Sequence, residues 1–247
     1  MKPLSFILAA LAVAAFGLHD ARAQVGQSLE LTGTLRDFAD THPDMQYPDK
    51  HFGLRTGIVQ SQLGSDGRPV LNTSYNLSRA MIDSEQSFSQ WYRNVEGVNQ
   101  SIQHTIVLED DDGDGIYRFE ASKHNGKSFF PLDGKLYGNE GRSHNYHFTY
   151  MIHTKFTYTD PSDREAMTFS FSGDDDVWVY INNHLVVDIG GVHSEEYDSV
   201  NVDNVADDIG LETGKTYDFH FFFAERHTTE SNFTIETSIQ FLSPLYD

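Results

Sequence analysis

Residues 216–223 read T-Y-D-F-H-F-F-F, and few other runs in the chain constrain it so tightly. Such a concentration of aromatic and β-forming side chains has no helical period and reads as a β-strand. Comparable runs recur. Tyr146–Tyr158, Met167–Phe171, Val177–Ile181 and His184–Ile189 are all β-formers. Phe233–Phe241 alternates apolar and polar with period two, as a strand with one wet face does. Asn182-Asn183 joins two of these runs as a two-residue hairpin loop, because asparagine tolerates positive φ. Short strands between turn signals predict an all-β chain, an antiparallel β-sandwich. Toward the N-terminus Leu29–Phe38 and Ile102–Leu108 read as strands and Ser87–Tyr92 as a short helix. The stretch 42–67 is rich in Pro, Gly and Asp and reads as a loop-rich elaboration of the same domain.

The first residues have a different character. Met1-Lys2 precedes an apolar run, Leu4–Leu18, and then Ala21-Arg22-Ala23, the pattern of a secretory signal peptide cleaved after residue 23. The expected organisation is therefore a signal peptide, 1–23, and one domain, 24–247, secreted or periplasmic. The apolar run is too short for a comfortable bilayer span, so no membrane insertion is expected. The chain of 247 residues contains no cysteine, which removes disulfides, thiolate catalysis and cysteine-zinc sites. Its formal charge of −20 excludes nucleic acid as a partner held by a general field, and favours cations and neutral ligands.

Between two β-forming runs stand Asp174, Asp175 and Asp176. Three like charges at a strand connection repel one another, so the triplet is either a solvated turn or the seat of a cation. Calcium takes six to eight oxygens, commonly from carboxylates and amides. Two consecutive aspartates face one ion only through an unusual backbone such as a cis peptide bond, at about 3 kcal/mol. A second acidic run, E-D-D-D-G-D-G-I-Y (109–117), sets Asp110, Asp112 and Asp114 before Gly115. It matches the first half of a calcium loop, but the twelfth position is Ala121 and the flanks read as strands, which excludes an EF-hand. Calcium loop and acidic surface turn both remain open there. The stretch 188–193, D-I-G-G-V-H, offers Asp188 and His193 as polar ligand groups, with Gly190 and Gly191 allowing close backbone approach or simply a tight turn. In 223–233, Glu225 and Arg226 read as an ion pair at the sheet end, with Asn232 as a further oxygen ligand. No G-x-S-x-G, H-E-x-x-H or phosphate-cradling glycine loop is present, so no enzyme is expected. Carboxylates are numerous enough to leave a glycosidase pair open as a lesser alternative.

Five ordered blocks carry a resemblance that spans most of the chain after residue 23. They are T-G-T-L-R-D-F with H-P-D (32–44), S-F-S-Q-W-Y-R-N-V-E-G-V-N (87–99), F-F-P-L-D-G (129–134), F-S-G-D-D-D-V-W-V-Y-I-N with L-V-V-D-I-G-G-V-H (171–193), and F-F-F-A-E-R-H-T-T-E-S-N-F (221–233). Together they resemble the fibro-slime domain family, which is similar in turn to the protective-antigen-type β-sandwich of adhesins, flocculins, glycosidases and prespore-inducing factors. The resemblance implies calcium as cofactor, held by two consecutive aspartates across a cis peptide and coordinating sugar hydroxyls. It places that pair at Asp174-Asp175. Asp176 stands where the family commonly has glycine, which leaves the register of the pair open. The implied function is a non-enzymatic, calcium-dependent carbohydrate-binding or adhesion module whose partner is an extracellular glycan or surface polysaccharide. The alternative is a structural extracellular protein with calcium as a folding staple and no glycan site.

Overall fold

The computed structural model describes residues 27–48 and 51–242. The expected signal segment, 1–23, lies outside them. Ten strands dominate: β1 (Gln27–Phe38), β2 (Asn99–Asp110), β3 (Tyr117–Ala121), β4 (Phe148–Thr157), β5 (Thr168–Gly173), β6 (Asp176–Ile181), β7 (His184–Ile189), β8 (Glu196–Asn201), β9 (Thr216–Glu225) and β10 (Phe233–Thr237). They form one sheet in the order β7-β6-β9-β4-β1-β2-β3-β10-β5-β8, with every named pairing antiparallel. The two end strands pack together, and the Asp188 N–H donates to Asp198 Oδ2 at 3.2 Å. The expected sandwich is thus one continuous sheet curled on itself, with its two halves face to face.

Alternation along β9 explains why. Phe219, Phe221 and Phe223 point inward with Val177, Val179 and Ile181 of β6, and meet Phe169, Phe171 and Phe233 from the opposite half. Phe222 and Ala224 point the other way, with Trp178 and Tyr180 of β6. This outer face would be wet in a simple sandwich. Here the N-terminal elaboration covers it: Ile58, Leu71, Phe88, Trp91 and Tyr92 form a second core there. β6 is therefore buried at all six positions. The stacked indoles of Trp91 and Trp178 lie 6.2 Å apart. Asp44 of the H-P-D block is buried to hold the cover in place, accepting from Trp91 Nε1 at 2.7 Å and Ser87 Oγ at 2.9 Å.

Most predicted runs are strands within a few residues, and the helix expected at 87–92 is shorter and earlier, Glu85–Phe88. The last strand stops at Thr237. The Asn182-Asn183 loop takes φ of 47° and 66°. β3 and β8 are additions. Tyr-Arg-Phe-Glu-Ala is only five residues long, and Glu-Tyr-Asp-Ser-Val-Asn is a polar strand at the end of the sheet.

Candidate functional site

β5 ends and β6 begins at the aspartate triplet, and the Asp174–Asp175 peptide bond is cis. The two side chains open on a cleft of ≈ 350 Å³ whose walls include Phe52, His193, His227 and Glu230. Asp174 accepts from the Asn232 backbone N–H at 2.5 Å and from its Nδ2 at 3.3 Å. Asp175 accepts from the His193 N–H at 3.2 Å and the Arg226 N–H at 3.1 Å. Two segments, the stretch at His193 and the β9–β10 connection from Arg226 to Asn232, thus converge on the pair.

Asp176 belongs to a different arrangement. It is fully buried, accepts from Arg226 Nε at 2.7 Å and from the Gly191 N–H at 2.6 Å, and does not line the cleft. Its expected place among the cation ligands is corrected: a strand alternates its side chains, so Asp176 follows Trp178 and Tyr180 to the outer core. The same alternation breaks the expected Glu225–Arg226 pair. Adjacent strand residues face opposite ways. Arg226 reaches outward to Asp176, to the Met81 and Ala80 carbonyls at 2.7 and 3.1 Å, and over the Trp91 ring at 4.7 Å. Glu225 turns inward with Phe223, is fully buried, and neither oxygen accepts a well-formed hydrogen bond among the described residues.

The electrostatic outcome is lopsided. Asp174, Asp175, Asp176 and Glu225 are at most 3 % exposed, and among the described residues the one guanidinium buried with them is Arg226. Burial raises the Asp174 carboxyl to about 6 against the hydrogen bonds from Asn232. Burial first, then Asp176 and Asp174, push Asp175 well up against the pull of Arg226. Burial, then Asp175 and Asp174, do the same to Glu225, and Ser231 and the His227 N–H offset it only weakly. Buried carboxylates in this number call for protons or a cation. The donor set is all oxygen, which suits a hard divalent ion such as calcium. No oxygen from each of Asp174, Asp175 and Glu225 lies within 4.8 Å of the other two among the described residues, so Glu225 acts on the pair as a charge behind it.

The other predicted residues divide. His193 is 7 % exposed and lines the cleft; its Nδ1 lies 2.8 Å from the Ser194 carbonyl, and its Nε2 is buried without a hydrogen bond among the described residues. Burial keeps this ring neutral by lowering its pKa. Asn232 presents its amide N–H to Asp174, while its Oδ1 accepts from the Lys123 N–H at 2.9 Å, so it is a donor here instead of an oxygen ligand. Gly190 and Gly191 give close backbone approach to the 53–58 loop. The bridge Arg55–Gly190 docks the N-terminal elaboration, and a Cβ on Gly190 would stand 2.7 Å from the Arg55 carbonyl oxygen. Asp188 serves the same joint, accepting from the Gly57 N–H at 2.7 Å and Trp178 Nε1 at 3.1 Å. Trp178 is wholly core. Phe52, Lys123, His227 and Glu230 lie on the cleft unforeseen. Phe52 is the one with a legible signal, an aromatic in a Pro/Gly/Asp-rich loop.

The second acidic run is a hairpin loop between β2 and β3, flanked by strands as expected. Oxygens of Asp110, Asp112 and Asp114 all lie within 4.8 Å of one another. Asp110 accepts from the Gly113 and Gly115 N–H groups at 2.8 and 3.2 Å. Arg118 supplies a cation from the protein itself, 2.6 Å from Asp114 and 3.6 Å from Asp112, and its hydrogen bond holds Asp114 down at about 2.

An all-β, antiparallel fold with paired aspartates over a polar cleft defines a class, and residues 139–244 match the PA14 domain. The resemblance read from the five blocks stands. Three proteins of Dictyostelium discoideum are similar over most of the chain. Protein psiQ is 39% identical over 83% of this chain and 20% of its own length. Protein psiR is 41% identical over 79% and 20%. Protein psiC is 36% identical over 89% and 43%. The chain therefore spans between a fifth and about two fifths of these relatives. Among solved structures, the GH31 alpha-xylosidase from Xanthomonas citri superposes with a TM-score of 0.27 at 8% identity over 75% of this chain and 17% of that one, too slight a likeness to argue from.

Proposed function

We propose that this chain is a secreted, non-enzymatic binding module that holds calcium on Asp174 and Asp175 and engages an extracellular glycan or surface polysaccharide at the cleft above them. The observation that carries the reading is the buried group of four carboxylates around a single guanidinium, with two of the four opening on the cleft. Arg226 is already spent on Asp176. A bound calcium ion would neutralise the remaining pair and offer coordination positions to vicinal sugar hydroxyls. The neutral His193 offers a ring nitrogen to a hydroxyl, and the exposed Phe52 offers a ring face at the rim.

A structural staple is the second reading, and Glu225 favours it, because that buried charge lies behind the pair and off the cleft. Calorimetry of calcium binding to the chain from residue 24, beside Asp174→Ala/Asp175→Ala, separates the cases. Loss of a site in the double variant supports the cation site. A glycan screen in calcium and in chelator then decides between glycan binding and a staple. A site that survives in the double variant maps to Asp110, Asp112 and Asp114. Absence of calcium binding in both proteins sinks the reading.

A further inference from the structure

On the face of β1 and β2 lies a second cleft, of ≈ 370 Å³, with the opposite electrostatic character. Arg36, Arg68 and Arg93 line it. The whole chain has 17 basic against 37 acidic residues, yet among the described residues no acidic one lines this cleft. Register explains its floor. Thr34 opposes Gln103 and Arg36 opposes Ser101, so all four side chains share one face of the β1–β2 pair. Arg68, Arg93 and Asn94 overhang that floor from the N-terminal cover.

The guanidiniums are held in place. Arg36 Nε donates to Asn94 Oδ1 at 2.9 Å, Arg68 Nε to the Tyr92 carbonyl at 2.9 Å, and Arg93 Nη1 to the Ser89 carbonyl at 2.6 Å. Asp66 pairs with Arg93, its Oδ2 accepting from Nε at 2.9 Å and standing 2.6 Å from Nη2. Gln103 Nε2 donates to Thr34 Oγ1 at 3.0 Å, so hydroxyl and amide groups alternate on the floor. Ile102 is the lone apolar side chain among those that line the cleft, which excludes a lipid or a flat apolar ligand. Planar guanidinium forks match carboxylate and sulfate oxygens, and the hydroxyl and amide floor matches sugar hydroxyls. The net charge of −20 repels a long polyanion, and its field is screened beyond about 8–10 Å at ordinary ionic strength, so local contacts select the ligand.

We propose that the β1–β2 cleft binds a single acidic sugar residue, recognised through its carboxylate or sulfate ester by Arg36, Arg68 and Arg93. β1 and β2 contribute nothing to the Asp174–Asp175 cleft, so the site stands apart from the calcium reading. The test is calorimetry at low ionic strength in chelator, with galacturonate, galactose 6-sulfate, galactose and inorganic sulfate as probes. One or both acidic sugars bind, and galactose does not. Binding of galacturonate alone names the carboxylate as the recognised group, and of galactose 6-sulfate alone the sulfate ester. Arg68→Gln weakens binding roughly tenfold or more. Asp66→Asn, which relieves Arg93 of its neighbour, tightens it, and Asp174→Ala/Asp175→Ala leaves it unchanged. Matching melting curves of the variants establish that each is folded. The proposal is overturned if no acidic sugar binds, if inorganic sulfate binds as tightly as the sugars, or if Arg68→Gln binds like the wild type.

Discussion

A single arginine organises the triplet. Arg226 neutralises Asp176, caps two backbone carbonyls and covers the Trp91 ring, all out of water. Breaking a buried pair leaves an uncompensated charge, at a cost of about 3–5 kcal/mol. Arg226→Gln is therefore expected to lower the free energy of unfolding by that amount, read in urea unfolding as a lower denaturant midpoint with an unchanged slope. The neighbouring carboxylates give the opposite signal. In chelator, Asp174 binds its proton more tightly folded, at about 6, than unfolded, at the ordinary 3.8. The native state then holds more protons than the unfolded one between these values, so stability falls as pH rises from about 4 to about 6. Asp175 and Glu225, also raised by burial, add to the same slope. Melting in chelator is expected at a higher temperature near pH 5 than near pH 7.5. Asp174→Asn, which keeps an acceptor for the Asn232 N–H, flattens that difference; an unchanged pH profile in this variant would count against the assignment. Little of this was legible in the chain. The acidic triplet announced itself, but which aspartates open on the cleft depends on strand alternation counted from Trp178, and on an arginine fifty residues away in sequence.

At the scale of elements, the joint between the D-I-G-G-V-H segment and the N-terminal cover decides how the cleft is walled. Gly53 N–H donates to the Val192 carbonyl at 2.8 Å and Arg55 N–H to the Gly190 carbonyl at 2.6 Å, which seats Phe52 at the rim. A methyl group on Gly190 would stand 2.7 Å from the Arg55 carbonyl oxygen and 2.8 Å from Ile58 Cδ1. Gly190→Ala is expected to cost about 1–3 kcal/mol by overpacking, and to quicken proteolysis of the 51–58 segment. Cleavage at the wild-type rate would show that the joint tolerates separation. Gly173→Ala is expected to be worse, because its Cβ would fall on the Asn232 carbonyl oxygen of the paired strand end. The glycines were visible as glycines, but their use was not. A glycine that admits a ligand and one that admits another loop look alike until the loop is placed. The strands were visible because aromatic and β-branched runs are dense, and β3 and β8 escaped because short or polar strands lack that density.

For the whole molecule, the curled sheet and its N-terminal cover share β6 and β9, so a cation at the β5–β6 connection is coupled to both cores. A ligand that binds only the native state at about 100 times its Kd adds about 2.7 kcal/mol. In a chain of this size that is a rise in melting temperature of roughly 5–10 °C. Calcium is expected to produce this rise in scanning calorimetry above pH 6, to lose it as the carboxyls protonate at lower pH, and to leave Asp174→Ala/Asp175→Ala unmoved. An equal rise in that double variant would move the site elsewhere. The sequence alone determined the all-β class, the antiparallel pairing, the PA14-type resemblance and the presence of an aspartate triplet at a strand connection, because each rests on local runs and ordered blocks of adjacent residues. Only the tertiary structure decided that the sandwich is one curled sheet, that Asp176 belongs to Arg226 and opens away from Asp174 and Asp175, that Glu225 is buried behind the pair, and that three arginines meet over β1 and β2. Those facts depend on register and on which face each side chain takes, and both are set by contacts between segments dozens of residues apart.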